Sequence, residues 1–206
     1  MAMVITVAQQ KGGAGKTTLA ANLAAYFAAD ARVALIDIDP QHSLSRWHGL
    51  RPKRRAPMTL LEVSFWRLAA ELDRLRRTVD FVLIDSPPQI ETDARTAIRA
   101  ADLVLVPVQP SPVDVWATAG TLRLATAEKR RAVLVLNRVP ASSRLTGTVE
   151  ATCRTEGYTL LSARLGNRTA FASAFAVGLG VTEVAPNSPA AAELGALGRE
   201  IRGMFT

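Results

Sequence analysis

Lys11-Gly12-Gly13-Ala14-Gly15-Lys16-Thr17-Thr18 gathers two ammonium groups, three glycines and two hydroxyls into eight residues. Glycines at this density let backbone N–H groups close around a polyphosphate. Lys16 would neutralise its β and γ oxygens, and the Thr17 hydroxyl can ligate Mg2+. The context suits that chemistry, because the apolar run Met3–Ala8 reads as a strand before the loop and a helical pattern follows it. A standard phosphate loop has Gly six residues before the lysine of its Lys-Thr pair; Gln10 stands there, so the loop is a variant.

Three carboxylates fall where magnesium chemistry would need them. Asp85 ends Phe81-Val82-Leu83-Ile84, the usual place for an acid that holds a magnesium-bound water. Asp37 and Asp39 flank Ile38 at the end of Val33–Ile38. Strand-end aspartates also cap turns, and that alternative stays open at this point.

The elements that must position these groups are legible as alternating runs. Met3–Ala8, Val33–Ile38, Phe81–Ile84, Leu103–Val108 and Ala132–Leu136 are continuously apolar, as strands buried on both faces of a parallel sheet are. Thr17–Ala29 places Leu19, Leu23, Tyr26 and Phe27 on one helical stripe, and Trp66–Arg77 does so with Leu68, Leu72 and Leu75. Ser111, Pro112 and Asp114 mark a helix start after Leu103–Val108. Pro186–Pro189 reads as a turn before a last helix, Ala190–Met204, whose Leu194, Leu197 and Ile201 face the sheet. The order βαβα predicts an α/β fold: a doubly wound, mostly parallel sheet flanked by helices, with ligands at the carboxyl ends of the strands.

At 206 residues the chain is expected to form one domain, 1–206. With 49% hydrophobic and 21% charged residues it can bury a full core, which excludes wholesale disorder and collagen-like architecture. Cys153 is the sole cysteine, so one chain can build neither a disulfide nor a four-cysteine zinc or iron–sulfur site. No apolar stretch reaches ~18 residues and Met1–Gln10 runs straight into the glycine loop, so a cytoplasmic protein is expected. The net charge of +7 favours anionic partners such as nucleic acid, although a solvated basic surface is the plainer explanation. Only four of the 25 basic residues are lysines, and two of those four are Lys11 and Lys16.

Lys11-Gly-Gly-Ala-Gly-Lys16-Thr17, Asp37-Ile-Asp39-Pro40-Gln41 and Asp85-Ser86-Pro87-Pro88, in that order, resemble the deviant-Walker ATPases of the ParA/MinD family. Val106-Pro-Val-Gln-Pro-Ser-Pro-Val-Asp114, followed by Ala117–Gly120, resembles the small, ParF-like ParA proteins. The resemblance implies a P-loop NTPase fold of the SIMIBI class, with ATP and Mg2+ as cofactors. It implies that Lys11 is the signature lysine, which reaches the phosphates of a second subunit in a nucleotide-sandwich homodimer formed on ATP binding. Lys11, Lys16 and Asp39 would then be catalytic, Asp39 by positioning the attacking water. Lys11 to Thr18 would hold the nucleotide, and Thr17, Asp37 and Asp85 would lie at or near the metal. Asn137 matches a position that contacts adenine; a plain strand-end turn is the alternative. It is followed by Arg138-Val139-Pro140 rather than a guanine-reading Lys-x-Asp, so ATP is favoured over GTP.

Relatives on this scaffold are narrowed by what the chain lacks. Nitrogenase iron-protein chemistry needs cysteines, the tyrosine kinases need a tyrosine tail where only Tyr26 and Tyr158 exist, and tandem arsenite-pump ATPases are about twice as long. A MinD-like membrane helix is not expected from a tail carrying Gly195, Gly198 and Gly203, so no membrane partner is expected. The chain starts at its first strand, so the operator-reading helix-turn-helix of larger ParA proteins is not expected. Non-specific DNA binding by the ATP dimer on the nucleoid is, with a ParB-like or other adaptor stimulating hydrolysis while a plasmid, chromosome or protein cluster is positioned. An ATP-dependent metabolic ligase resembling dethiobiotin synthetase is the alternative. Candidate DNA contacts are Lys129, Arg130, Arg131, Arg138, Arg144, Arg164 and Arg168, for each of which, taken alone, a solvated or ion-paired surface residue is the plainer alternative. The basic stretch Arg51–Pro57 either touches phosphates or is a surface loop. Trp47, Trp66 and Trp116 are expected to pack in the core or an interface rather than stack on bases.

Overall fold

The computed structural model describes residues 1–88 and 91–205. Gln89, Ile90 and Thr206, which fall within the span expected to form one domain, lie outside the described residues.

Seven strands form one parallel sheet in the order β3-β2-β4-β1-β5-β6-β7. They are β1 (Met3–Val7), β2 (Val33–Asp37), β3 (Met58–Glu62), β4 (Phe81–Asp85), β5 (Leu103–Val108), β6 (Arg131–Val139) and β7 (Leu160–Gly166). The helices are α1 (Lys16–Phe27), α2 (Ser43–Gly49), α3 (Leu68–Leu75), α4 (Glu91–Ala100), α5 (Pro112–Ala127), α6 (Arg144–Thr155), α7 (Thr169–Phe175), α8 (Val181–Val184) and α9 (Pro189–Gly203).

The central strands β1, β2, β4 and β5 are the runs of unbroken apolarity, because helices cover both of their faces. Ile5, Val7, Leu35, Leu83, Leu105 and Val135 face α1 and α9, and bury Phe27 and Leu194 with them. On the opposite face Val4, Ala34, Ile36, Val82 and Ile84 meet Leu68, Leu72 and Leu75 of α3. Val104, Val106 and Leu134 meet α5 and α6 there. The two edge strands went unread in the sequence because neither is continuously apolar: β7 alternates, and β3 is mostly half-buried or exposed. In β7 only Leu161, Ala163 and Leu165 are buried, and β3 buries Met58 alone.

Helix starts follow their caps. Ser111 accepts from the Asp114 backbone N–H with Pro112 in the first turn, and Ser188 accepts from Ala191 N–H with Pro189 in the first turn. The segment Trp66–Arg77 resolves into a 3-10 turn, Phe65–Arg67, followed by α3. Among the tryptophans only Trp47 is a core residue; it is fully buried and its indole N–H donates to the Leu179 carbonyl. Trp66 and Trp116 are 71% and 70% exposed, so of the two expected places, core or interface, the core is not theirs. Both lie outside the apolar stripe of their helix.

Candidate functional site

The phosphate loop follows the middle of the sheet. β1 lies between β4 and β5, where the chain's connections turn to opposite sides, the crevice in which doubly wound sheets bind ligands. Gly15 adopts φ +90° just before α1 and makes no side-chain cap, so the first-turn N–H groups of that helix are left for an anion. Glycine is doubly required at this point. Besides its left-handed backbone, a Cβ on Gly15 would stand 2.6 Å from Asn137 Nδ2.

Lys16 opens α1 and is 7% exposed. Burial lowers its pKa, while Asp85 and Asp39 nearby oppose that shift. Asp37 and Asp85 are register partners at the ends of β2 and β4, and Asp85 is also paired with Val7, the last residue of β1. They continue the Val33, Leu35 and Phe81, Leu83 rows, so the two-residue period of a strand turns them toward α1 and its Lys16 and Thr17.

The three aspartates are not equivalent. Asp37 is fully buried and fully engaged: Oδ1 accepts from Asp39 N–H at 3.1 Å, and Oδ2 accepts from both the N–H and the hydroxyl of Ser45 at 2.9 Å. It thereby ties the Asp39 turn to the first turn of α2. Asp39 accepts from Gln41 N–H through Oδ1. His42, which ends this turn at φ +49°, takes up a left-handed conformation rare for a side-chain-bearing residue. Asp85 is fully buried, and neither of its oxygens has a hydrogen-bond partner of normal geometry. Burial above all, with Asp37 and Asp39 adding to it, pushes its pKa up to about 7 against the opposing pull of the neighbouring Thr17 hydroxyl and of Lys16. Two orphaned carboxylate oxygens beside a threonine hydroxyl form a hard-oxygen donor set of the kind Mg2+ takes, so the residues fit that ion.

Side chains distant in sequence brace the loop. Gln109 Nε2 donates to the Gly13 carbonyl at 3.1 Å, and Asn137 Nδ2 to the Ala14 carbonyl at 2.8 Å. Lys11 Nζ lies 2.6 Å from Asp114 Oδ2 at the start of α5, an oxygen that also accepts from the Ser111 hydroxyl. Asn137 lies inside β6, which runs three residues beyond its expected end; the residue after it, Arg138, has φ +53° where the pairing to β7 is irregular.

Between the start of α1 and the β7–α7 connection lies a cavity of about 310 Å3, bounded by Gly15, Thr18, Asn137, Arg138, Asn167 and Phe171. It adjoins the glycine loop and is sized for a nucleobase. Its β7–α7 wall was missed in the sequence. The alternation at Leu161, Ala163 and Leu165, ending in Gly166-Asn167, was the available signal.

The basic residues divide. Arg164 pairs with Glu150 and Arg168 with Glu193, while Arg138 lines the cavity beside the phosphate loop. Arg51 is a structural residue: its buried guanidinium forms two bonds to Glu183, at 2.9 and 2.6 Å, and lies over the Trp47 ring. Among the described residues no helix is long and apolar enough to cross a membrane.

Comparison with known proteins places this geometry. The family model described as "CobQ/CobB/MinD/ParA nucleotide binding domain" matches residues 5–181. The chain is 30% identical over 199 residues to the maintenance of carboxysome distribution protein A of Halothiobacillus neapolitanus, covering 93% of this chain and 92% of that one. It is 32% identical over 236 residues to the chromosome-partitioning ATPase Soj of Thermus thermophilus, covering 96% and 94%. In fold it resembles MinD of Pyrococcus horikoshii in complex with Mg-ADP, with a TM-score of 0.85 at 19% identity over 100% of this chain and 98% of that one. An ATP complex of McdA from Cyanothece gives a TM-score of 0.81 at 20% identity, over 96% of each chain.

Proposed function

Since this chain belongs to the CobQ/CobB/MinD/ParA nucleotide-binding family of ATPases, we propose that it is a ParA-type positioning ATPase whose 206 residues act as one unit. ATP joins two copies, the dimer holds DNA without regard to sequence, and an adaptor protein stimulates hydrolysis to release it. The names of its relatives suggest the cargo class, a chromosome or a protein compartment moved over the nucleoid.

Lys11 carries the reading. Lys16 already serves the chain's own phosphate site and is surrounded by Asp85 and Asp39. Lys11 is a second lysine on the same loop, directed instead to Asp114 and 36% exposed. A lysine spare to its own site is available to the phosphates of another subunit, where added positive charge stabilises the transferring phosphoryl group. Lys16 supplies the charge in cis, Asp39 orients the attacking water, and the backbone from Gly12 to Thr18 holds the phosphates. Asn137 supports the loop beside the base cavity. Mg2+, when bound, draws charge from the phosphate oxygens, and Thr17 and Asp85 would hold it, with Asp37 fixing the adjoining turn.

The test is ATP-dependent binding to duplex DNA of arbitrary sequence, at about 50 and 200 mM salt, for the wild type and Lys11→Ala. Binding that needs ATP, falls steeply with salt and is lost in the variant is expected. Absence of DNA binding in every nucleotide state would overturn the reading and favour a small-molecule ligase.

A further inference from the structure

At the amino ends of the strands, remote from the phosphate loop, the tight turn that precedes β3 carries Lys53 and Arg54 at its tip, closed by the Arg55 N–H to Pro52 carbonyl bond. Both side chains are exposed and neither makes a hydrogen bond or ion pair among the described residues. Arg54 and Arg55 line a cavity of about 600 Å3 whose far wall is Arg202, from the last turn of α9. Two acids also line it, and both are already engaged: Glu183 by Arg51, and Asp30 by Arg202. The balance of the wall is therefore positive.

Two nitrogens in this wall are unexplained by the fold. The Nε atoms of Arg55 and Arg202 are buried without an acceptor. Arg55 Nη2 reaches only the Glu183 carbonyl, and the Arg202 guanidinium lies about 5 to 6 Å from the ring centres of Tyr26, Phe27 and Phe81. Both Nε atoms are out of reach of a ligand, so it is the remaining guanidinium edges and the exposed side chains of the turn that are open to an anion. The charge also continues past the cavity. Arg131, at the start of β6, donates to the Met204 carbonyl just beyond Arg202, and Lys129 and Arg130, neither in an ion pair, precede it.

We propose that this strip, from the Lys53–Arg54 turn across Arg202 to Arg131, is the surface that takes the phosphodiester backbone of duplex DNA. The inference rests on the DNA-binding reading above and supplies its location. Several features favour a polyanion here. Three consecutive bases, Lys53, Arg54 and Arg55, lack a carboxylate partner among the described residues, whereas Arg164 and Arg168, proposed from sequence, are paired, as is Arg202 with Asp30. The strip lies at the amino ends of the strands and the nucleotide at their carboxyl ends, so the two ligands do not compete for space. Backbone contacts by cations carry no sequence information, which suits a protein that travels over DNA.

The experiment measures the salt dependence of binding to a fluorescein-labelled duplex of arbitrary sequence, with ATP and Mg2+, for the wild type and for Lys53→Ala/Arg54→Ala. A paired control, Arg67→Ala/Arg74→Ala, removes the same charge from α3 and the turn before it, where both arginines pair with Glu71. Each lost phosphate contact lowers the slope of log K against log salt by about 0.9, so the first double variant is expected to bind with a slope shallower by about 2 for each subunit of the dimer that contacts the duplex. The control is expected to keep the wild-type slope, and ATP affinity and melting temperature are expected to be unchanged in both. An unchanged slope in the Lys53/Arg54 variant, or an equal change in the control, overturns this location while leaving DNA binding itself intact. A wild type that binds no DNA overturns the parent reading, and this one with it.

Discussion

Replacing Asp85 by Asn is expected to stabilise the nucleotide-free protein while abolishing its ATPase activity. Neither Asp85 oxygen has a hydrogen-bond partner of normal geometry, and burial holds its pKa near 7, against the pull of the Thr17 hydroxyl, where the ordinary value is 3.8. The fold therefore disfavours its charged form. At about 1.36 kcal/mol per unit, a gap of about three units is a penalty of about 4 kcal/mol. The sign follows from the raised value. Below about pH 4 the carboxyl is neutral in folded and unfolded chains alike and there is no penalty; it grows as pH rises and is complete above about pH 7. Asn carries no charge at any pH, so the variant is expected to melt roughly 8–16 °C above the wild type at pH 8, the two converging at pH 4. Thermal unfolding followed by circular dichroism across that range measures the gap, and Mg·ATP should raise the wild-type midpoint far more than the variant's. A variant no more stable than the wild type at pH 8, or a gap that ignores pH, would refute the reasoning that Asp85 is a strained carboxylate awaiting a cation.

Gly15→Ala is expected to cost about 1–2 kcal/mol from its φ of +90° and to weaken ATP binding at least tenfold, because the new Cβ displaces Asn137; calorimetric titration with ATP measures it, and unchanged affinity would contradict the brace. Arg51→Ala is expected to destabilise by about 3 kcal/mol, since it leaves the nearly buried Glu183 unpaired. Urea midpoints in a cycle with Glu183→Ala should show strong coupling, and additive losses would mean the pair contributes nothing specific.

What was legible in the sequence was whatever one stretch of chain settles by itself. The glycine loop, the strand-end aspartates, the four inner strands nearest it and the Ser-Pro helix starts each depend on neighbours within a few residues. Asp37 shows the limit: its place at the end of β2 could be read, whereas its use in fixing Ser45 and Asp39 depends on how the following turn folds back. The edge strands escaped because solvent at the sheet's edges breaks apolar continuity, into alternation in β7 and into a single buried residue in β3. Arg51 looked like one more base in a basic loop, and only Trp47 and Glu183 beneath it make it a buried residue. Trp66 and Trp116 lie outside the core, since hydrophobicity alone does not say which side of a helix meets the sheet.

The braces on the phosphate loop also set an order of assembly. Gly13, Ala14 and Lys11 are held by Gln109, Asn137 and Asp114, partners 96, 123 and 103 residues away. β1, the first strand of the chain, lies between two strands that follow it by about 80 and 100 residues. A ribosome that has released only the first hundred residues has made every glycine of the loop and none of its supports. The nucleotide site is therefore among the last parts of the molecule to take shape, and its folding rate is governed by long-range closure rather than by the local turn. Competence to bind nucleotide in the growing chain should appear abruptly once β6 and the β7–α7 connection have emerged, with no weaker precursor site before it.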